Sequence, residues 1–131
     1  MAAAESYPDD LKYHEEHDWA RVEGEEAVLG ITWFAGDALG ELVHFEPLEV
    51  GSSVTRGQSY GEVESVKAVS DVVAPLSGEV LEVNQAVVDA PETVNEDPYG
   101  TGWLIRIRLS DPNEPGALLD ADAYRQLLAD Q

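Results

Sequence analysis

Apolar and polar residues alternate along Trp103-Leu104-Ile105-Arg106-Ile107-Arg108-Leu109, placing Trp103, Ile105, Ile107 and Leu109 on one face and two arginines on the other. A period of two reads as a strand with one face in a core and one in water. Short runs rich in valine and isoleucine predict further strands over 19–22, 27–31, 42–45, 58–65, 68–73 and 78–84. Glycine and proline punctuate the middle of the chain (Gly51, Gly57, Gly61, Pro75, Gly78, Pro91), the grammar of a mainly β domain. Two helices stand beside the strands. Thr32 can cap a short one that stops at Gly40. Asp120 can cap another, with Leu119 and Tyr124 as a hydrophobic staple and Leu127 and Leu128 extending its apolar stripe. A faint echo of Glu49-Val50-x-x-x-Val54 in Glu82-Val83-x-x-x-Val87 is too common a pattern to carry weight alone.

The stretch from Glu62 to Val73 breaks the alternation: Val63 is odd, whereas Val66, Ala68 and Val72 are even, so the buried face must switch near residues 64–66. A chain reversal there sets Lys67 near a hairpin tip. No Asn-Gly or Asp-Gly marks the turn, and valine is a poor choice for positive φ, so local turn chemistry does not select the site.

The length of 131 residues suits one domain, expected as an acidic, loose N-terminal tail over 1–10 followed by a carrier domain over 11–131. Seven basic and 27 acidic residues give a net charge of −20, and the basic residues are scattered, which excludes nucleic acid as a partner. An acidic surface serves solubility, and it would also steer the chain toward basic mouths on larger enzymes. No apolar run approaches the roughly 18 residues of a membrane span. With neither a secretory nor a transit-type start, the expectation is a cytoplasmic protein without membrane contact. The chain has no cysteine, which excludes disulfides, thiolate metal sites and a cysteine nucleophile; any sulfur redox chemistry must come from an attached group.

Lysine is scarce, with only Lys12 and Lys67. On spacing alone Lys67 reads as an ordinary solvated lysine. At a tip flanked by Ser65, Ala68 and Ser70, however, it also offers a primary amine that an enzyme could enclose.

The run Glu62-x-x-Ser65-Val66-Lys67-Ala68-Val69-Ser70-Asp71 resembles the lipoyl-attachment motif of the glycine cleavage system H proteins. The likeness extends in order and spacing through Gly30-Ile31-Thr32, Ala35, Leu39-Gly40, Ser77-Gly78-Glu79-Val80, Val94-Asn95, Pro98-Tyr99, Gly102-Trp103 and Leu118-Leu119-Asp120-Ala121-x-x-Tyr124, over about residues 11–129. It implies a barrel-sandwich hybrid of the lipoyl and biotinyl carrier type: two small sheets, a lysine-bearing hairpin, short flanking helices and a C-terminal helix. It implies a carrier without turnover of its own, with no catalytic residues and no metal. Lipoate would be amide-linked to Lys67, within the attachment motif of Glu64, Ser65, Val66 and Ala68.

The resemblance further implies that the arm takes the aminomethyl group of glycine from a pyridoxal-phosphate decarboxylase (P protein) to a folate-dependent aminomethyltransferase (T protein). Dihydrolipoamide dehydrogenase (L protein) then reoxidises the dithiol, and lipoyl-attaching enzymes install the group. The chain itself is expected to be monomeric. Asp18 and Asp71 are the expected contacts of the loaded, cationic arm. Two positions depart from the family pattern: His17-Asp18-Trp19 replaces His-Glu-Trp, and Trp33 stands where a polar residue is usual.

Three other readings compete. An H-like relay could serve another lipoyl-dependent pathway. A biotin carrier would place its lysine between methionines, but here the neighbours are Val66 and Ala68 and the only methionine is Met1. A metal enzyme could use His14 and His17, which are three apart rather than the four of the zinc-protease helix. His44, in a strand, reads as solvent-facing or hydrogen-bonded, and no Gly-x-Ser-x-Gly elbow occurs.

Overall fold

The computed structural model describes residues 3–131. Among these residues nine strands form two antiparallel sheets. The larger contains β1 (Lys12–Tyr13), β2 (Asp18–Glu23), β3 (Glu26–Ile31), β9 (Ile105–Leu109), β8 (Gly78–Val83) and β5 (Ser53–Val54), side by side in that order. The smaller is β4 (Leu42–Pro47), β6 (Ser59–Ser65) and β7 (Val69–Val73), with β6 in the middle. The two-sheet sandwich agrees with the mainly β expectation, and each expected strand is present to within two residues. Trp103 falls just before its strand.

Alternation decides where each strand looks. In β3, Ala27, Leu29 and Ile31 enter the core between the sheets, with Phe45, Tyr60, Val63, Ile105 and Ile107. Val28, on the opposite side, joins a second core of Tyr7, Leu11, Tyr13, Trp19, Ala121 and Tyr124. The larger sheet is therefore covered on both faces over β3, and every residue from Ala27 to Ile31 is buried. Gly30 admits this arrangement, because a Cβ there would stand 2.6 Å from the Trp19 ring. On the wet face Arg106 meets Glu23 at 2.8 Å and Arg108 meets Glu79 at 3.1 Å.

Helix α1 (Trp33–Leu39) is capped by Thr32, whose Oγ1 accepts from Ala35 N, and ends at Gly40 with φ 87°. Helix α4 (Ala121–Ala129) is capped by Asp120, which accepts from Ala123 N at 2.8 Å. It packs down through Tyr124, stacked on Tyr13 with ring centroids 4.8 Å apart. Two short helices were not expected, α2 (Gln85–Asp89) and α3 (Thr93–Glu96). They take up Val87 and Val94, so the echo of 49–54 in 82–87 corresponds to no structural repeat.

Of the tail expected over 1–10, residues 1 and 2 lie outside the described residues, and the rest is packed on the body rather than loose. Tyr7 is buried, Arg125 donates to its carbonyl at 2.8 Å, and Ala3 N donates to Asn95 O at 2.9 Å. Acidic composition suggested a loose segment, but one aromatic anchor and the Arg125 fork hold residues 3–9 to the body.

Candidate functional site

The reversal between β6 and β7 is a two-residue loop, Val66-Lys67, closed by Ser65 N donating to Ala68 O at 2.7 Å. Ser65 is buried, and its Oγ accepts from Lys67 N at 3.2 Å and Ala68 N at 3.1 Å. A side-chain hydroxyl thus satisfies the two tip amides that a glycine turn would handle by other geometry. Among the described residues only His17 is a non-glycine at positive φ, so Val66 sits at the tip without that strain. Val66, Lys67 and Ala68 are all exposed. Among the described residues, the ion pairs all engage arginines or His44, and none holds Lys67. The Lys67 stem runs over the end of α1: its Cε lies 3.6 Å from where a Cβ on Gly40 would stand.

Beside the hairpin, between α1 and β6–β7, runs a groove of about 250 Å³. Ile31, Ala35, Leu39 and Val63 contribute apolar walls, and Glu16, Asp18 and Asp71 are among its lining residues. The two aspartates singled out from sequence, 53 positions apart, therefore meet in one place. They are not alike. Asp71 is exposed, with Ser59 Oγ 3.4 Å from its Oδ1. Asp18 is 2% exposed and accepts from the Tyr60 hydroxyl at 3.0 Å and from Val73 N–H. Burial pushes its carboxyl well above the ordinary carboxylate range, and the two hydrogen bonds oppose that shift only in part. Asp18 is thus no ordinary solvated acid; the shorter side chain is anchored into the sandwich by Tyr60.

A pH dependence follows. With its folded pKa raised, Asp18 holds its proton longer in the folded than in the unfolded chain, so stability falls as pH rises from roughly pH 4 through the folded value. Asp18→Asn lacks this titration. Urea unfolding from acid to neutral pH should show wild type losing ground steadily against Asp18→Asn; a constant gap would mean that the carboxyl is not desolvated.

Two further wall residues are Glu16, which the sequence did not single out, and His17, which it offered for a different role. His17 has φ 74°, its ring packs on Phe34 at 4.6 Å, and its Nδ1 lies 2.8 Å from the Tyr124 hydroxyl, which also meets Thr32 Oγ1 at 2.9 Å. Burial lowers its pKa. His14 turns to a different partner, its Nδ1 accepting from Glu16 N at 3.1 Å. The two histidines read as a metal pair therefore have separate structural duties, and among the described residues no cluster of metal-ligating side chains forms. His44 is exposed and pairs with Glu46 at 2.9 Å.

A two-sheet sandwich that lifts one unpaired lysine on a tight hairpin, beside a groove with acids in its wall, has the layout of a swinging-arm carrier rather than of an enzyme. Known proteins agree. The family described as Glycine cleavage H-protein matches residues 11–131, and the chain belongs to it. Glycine cleavage system H proteins of Anaeromyxobacter sp. (strain K) and Myxococcus xanthus are 52% and 50% identical to it, each over 95% of this chain and 97% of the relative. The crystal structure of a glycine cleavage system H protein from Mycobacterium marinum superimposes with a TM-score of 0.86 at 42% identity, covering 94% of this chain and 99% of that one.

Carriers of this family hold lipoate covalently on a lysine. The residues present fit that group: among the described residues no ion pair engages the exposed Lys67 side chain, and its Cε lies beside Gly40 at the end of α1, the helix that walls the groove.

Proposed function

We propose that Lys67 bears the lipoyl group, with Glu64, Ser65, Val66 and Ala68 as the surface that the attaching enzyme reads. The observation that carries this reading is the hairpin tip itself, where Ser65 fixes the backbone and leaves the Lys67 side chain projecting. The protein is a lipoyl carrier of the glycine cleavage system, acting with the system's other components and having no turnover alone. When bound, lipoate supplies a dithiolane that takes up the aminomethyl group of glycine as the disulfide is reduced. The partners in our reading are the pyridoxal-phosphate decarboxylase, the folate-dependent aminomethyltransferase and dihydrolipoamide dehydrogenase, served by lipoyl-attaching enzymes. A covalent arm raises the effective concentration at each of these sites, while the acidic body supplies a docking surface. Among the described residues no helix is long and apolar enough to cross a membrane.

The groove has the chemistry to shelter a cationic amine. Asp18 is costly to ionise when its end of the groove is empty, and an ammonium beside it would offset that cost. Asp71 at the open side would guide the charge inward. The test is a lifetime: with the loaded carrier isolated, free amine should appear several-fold faster from Asp71→Asn and Asp18→Asn than from wild type. Equal rates in all three would remove both residues from the site.

A further inference from the structure

The Asp18 carboxyl is held from behind. Asp18 lines the acid groove and Tyr60 does not; the Tyr60 ring is fully buried in the core between the sheets, and its hydroxyl donates across to Asp18 Oδ2 at 3.0 Å. The bond joins β6 of the smaller sheet to β2 of the larger, and Val73 N–H, from β7, gives the same carboxyl a second donor. We infer that Tyr60 is a positioning residue of the carrier: its hydroxyl keeps the Asp18 carboxylate ready to pair with the ammonium of the loaded arm, and so sets how long that amine is kept. This rests on the reading that Asp18 receives the loaded arm.

The other titratable groups around Asp18 are Glu16 and His17, from the turn before β2, Asp71, from β7, and Tyr124, behind His17. Glu16 is a like charge that opposes ionisation of Asp18, and burial favours the neutral form of His17. Helix α1 and β3 present only apolar side chains to the groove. Among the described residues no cation lines it, and the groups that favour the ionised carboxyl are the two hydrogen-bond donors. One of these is backbone; Tyr60 is the one that a side chain supplies. Burial and the adjacent acid hold its phenol well above the ordinary value, so it stays a donor.

Packing alone does not call for the hydroxyl. A buried hydroxyl and carboxyl cost desolvation that two apolar groups would avoid, and among the described residues Asp18 is the one partner of the Tyr60 hydroxyl. Where the family pattern has glutamate, Asp18 is one methylene shorter, and the phenol meets the carboxyl at that depth. An aminomethyl thioether sheds its amine through the nitrogen lone pair, which forms a C=N bond as the C–S bond breaks and its electron pair leaves on sulfur. Water then converts the released methaniminium ion to formaldehyde and ammonium. A proton on nitrogen occupies that lone pair, and an ionised Asp18 beside it holds the proton there. Without the Tyr60 hydroxyl the carboxylate is harder to form, the ammonium gives up its proton more readily, and release speeds up.

The experiment uses the full chain in two forms. In the unmodified protein ¹³C NMR follows the Asp18 carboxyl with pH, and Tyr60→Phe, which keeps the ring and removes the hydroxyl, should move its titration to higher pH. In the carrier loaded on Lys67, free amine should appear several-fold faster from Tyr60→Phe than from wild type, with the rise in rate setting in at lower pH. Adding Tyr60→Phe to Asp18→Asn should change the release rate no further. A purely structural hydroxyl would lower the melting point and leave the Asp18 titration and the release profile where they are, which would overturn the inference. A shifted titration with unchanged release would overturn it as well. If Asp18→Asn releases amine no faster than wild type, the reading of Asp18 fails and the inference with it; if Asp18→Asn is faster and Tyr60→Phe is not, only the role of Tyr60 is lost.

Discussion

Lys67→Arg should leave a folded protein with no carrier activity. The tip is held by backbone amides on Ser65 Oγ, so its geometry does not depend on the residue 67 side chain. That side chain is exposed, and exposed substitutions of this kind usually change stability by less than about 0.5 kcal/mol. Function is another matter. Arginine keeps the charge, but its guanidinium stays protonated and offers no free amine for amide formation. Lipoyl attachment should fall to zero and aminomethyl transfer with it, while Lys12→Arg retains both. A lipoylated Lys67→Arg protein would contradict the assignment.

Trp19→Ala should give the largest loss of stability. Trp19 is fully buried at the heart of the second core, and its indole N–H donates to Pro98 O at 3.0 Å. Truncating a buried tryptophan costs about 3–5 kcal/mol, and Pro98 O would also lose its donor. For a domain of this size the loss corresponds to a melting point lower by about 10–20 °C. Trp19 lies next to Asp18 on β2, and its ring closely covers Gly30 on β3. The acid groove should therefore loosen with the core, seen as faster loss of amine from the loaded carrier. Thermal unfolding of the unmodified protein checks the first part; a shift under about 5 °C would mean that the neighbouring rings collapse into the space.

The strands and the two capped helices were legible because each carries its own periodic or capping signal. Ile105, Ile107 and the two arginines state their faces directly, and Thr32, Gly40 and Asp120 mark helix ends. Helices α2 and α3, of five and four residues, are too short for a period to show. At the site, Lys67 stood out through its motif and Asp71 through its spacing from that lysine. The burial of Asp18 was not readable, because it is set by Tyr60, 42 residues away. His17 gave no sign of its contact with Tyr124, 107 residues away, and its left-handed backbone belongs to the tight turn closed by His17 N donating to His14 O at 2.9 Å, where no glycine marks the position. Trp33 was visible as a departure from the family pattern, but that it lines one groove with Val94 and Pro98, from a second stretch of the chain, was not.

The central claim is that Lys67 carries the arm, and mass spectrometry of the wild-type chain from lipoate-supplied cells tests it most directly. The account predicts a single lipoyl addition in the intact protein and its recovery on the peptide that contains Lys67. Lipoyl on Lys12, biotin in place of lipoate, or an unmodified chain under conditions that lipoylate other carriers in the same cells would contradict it.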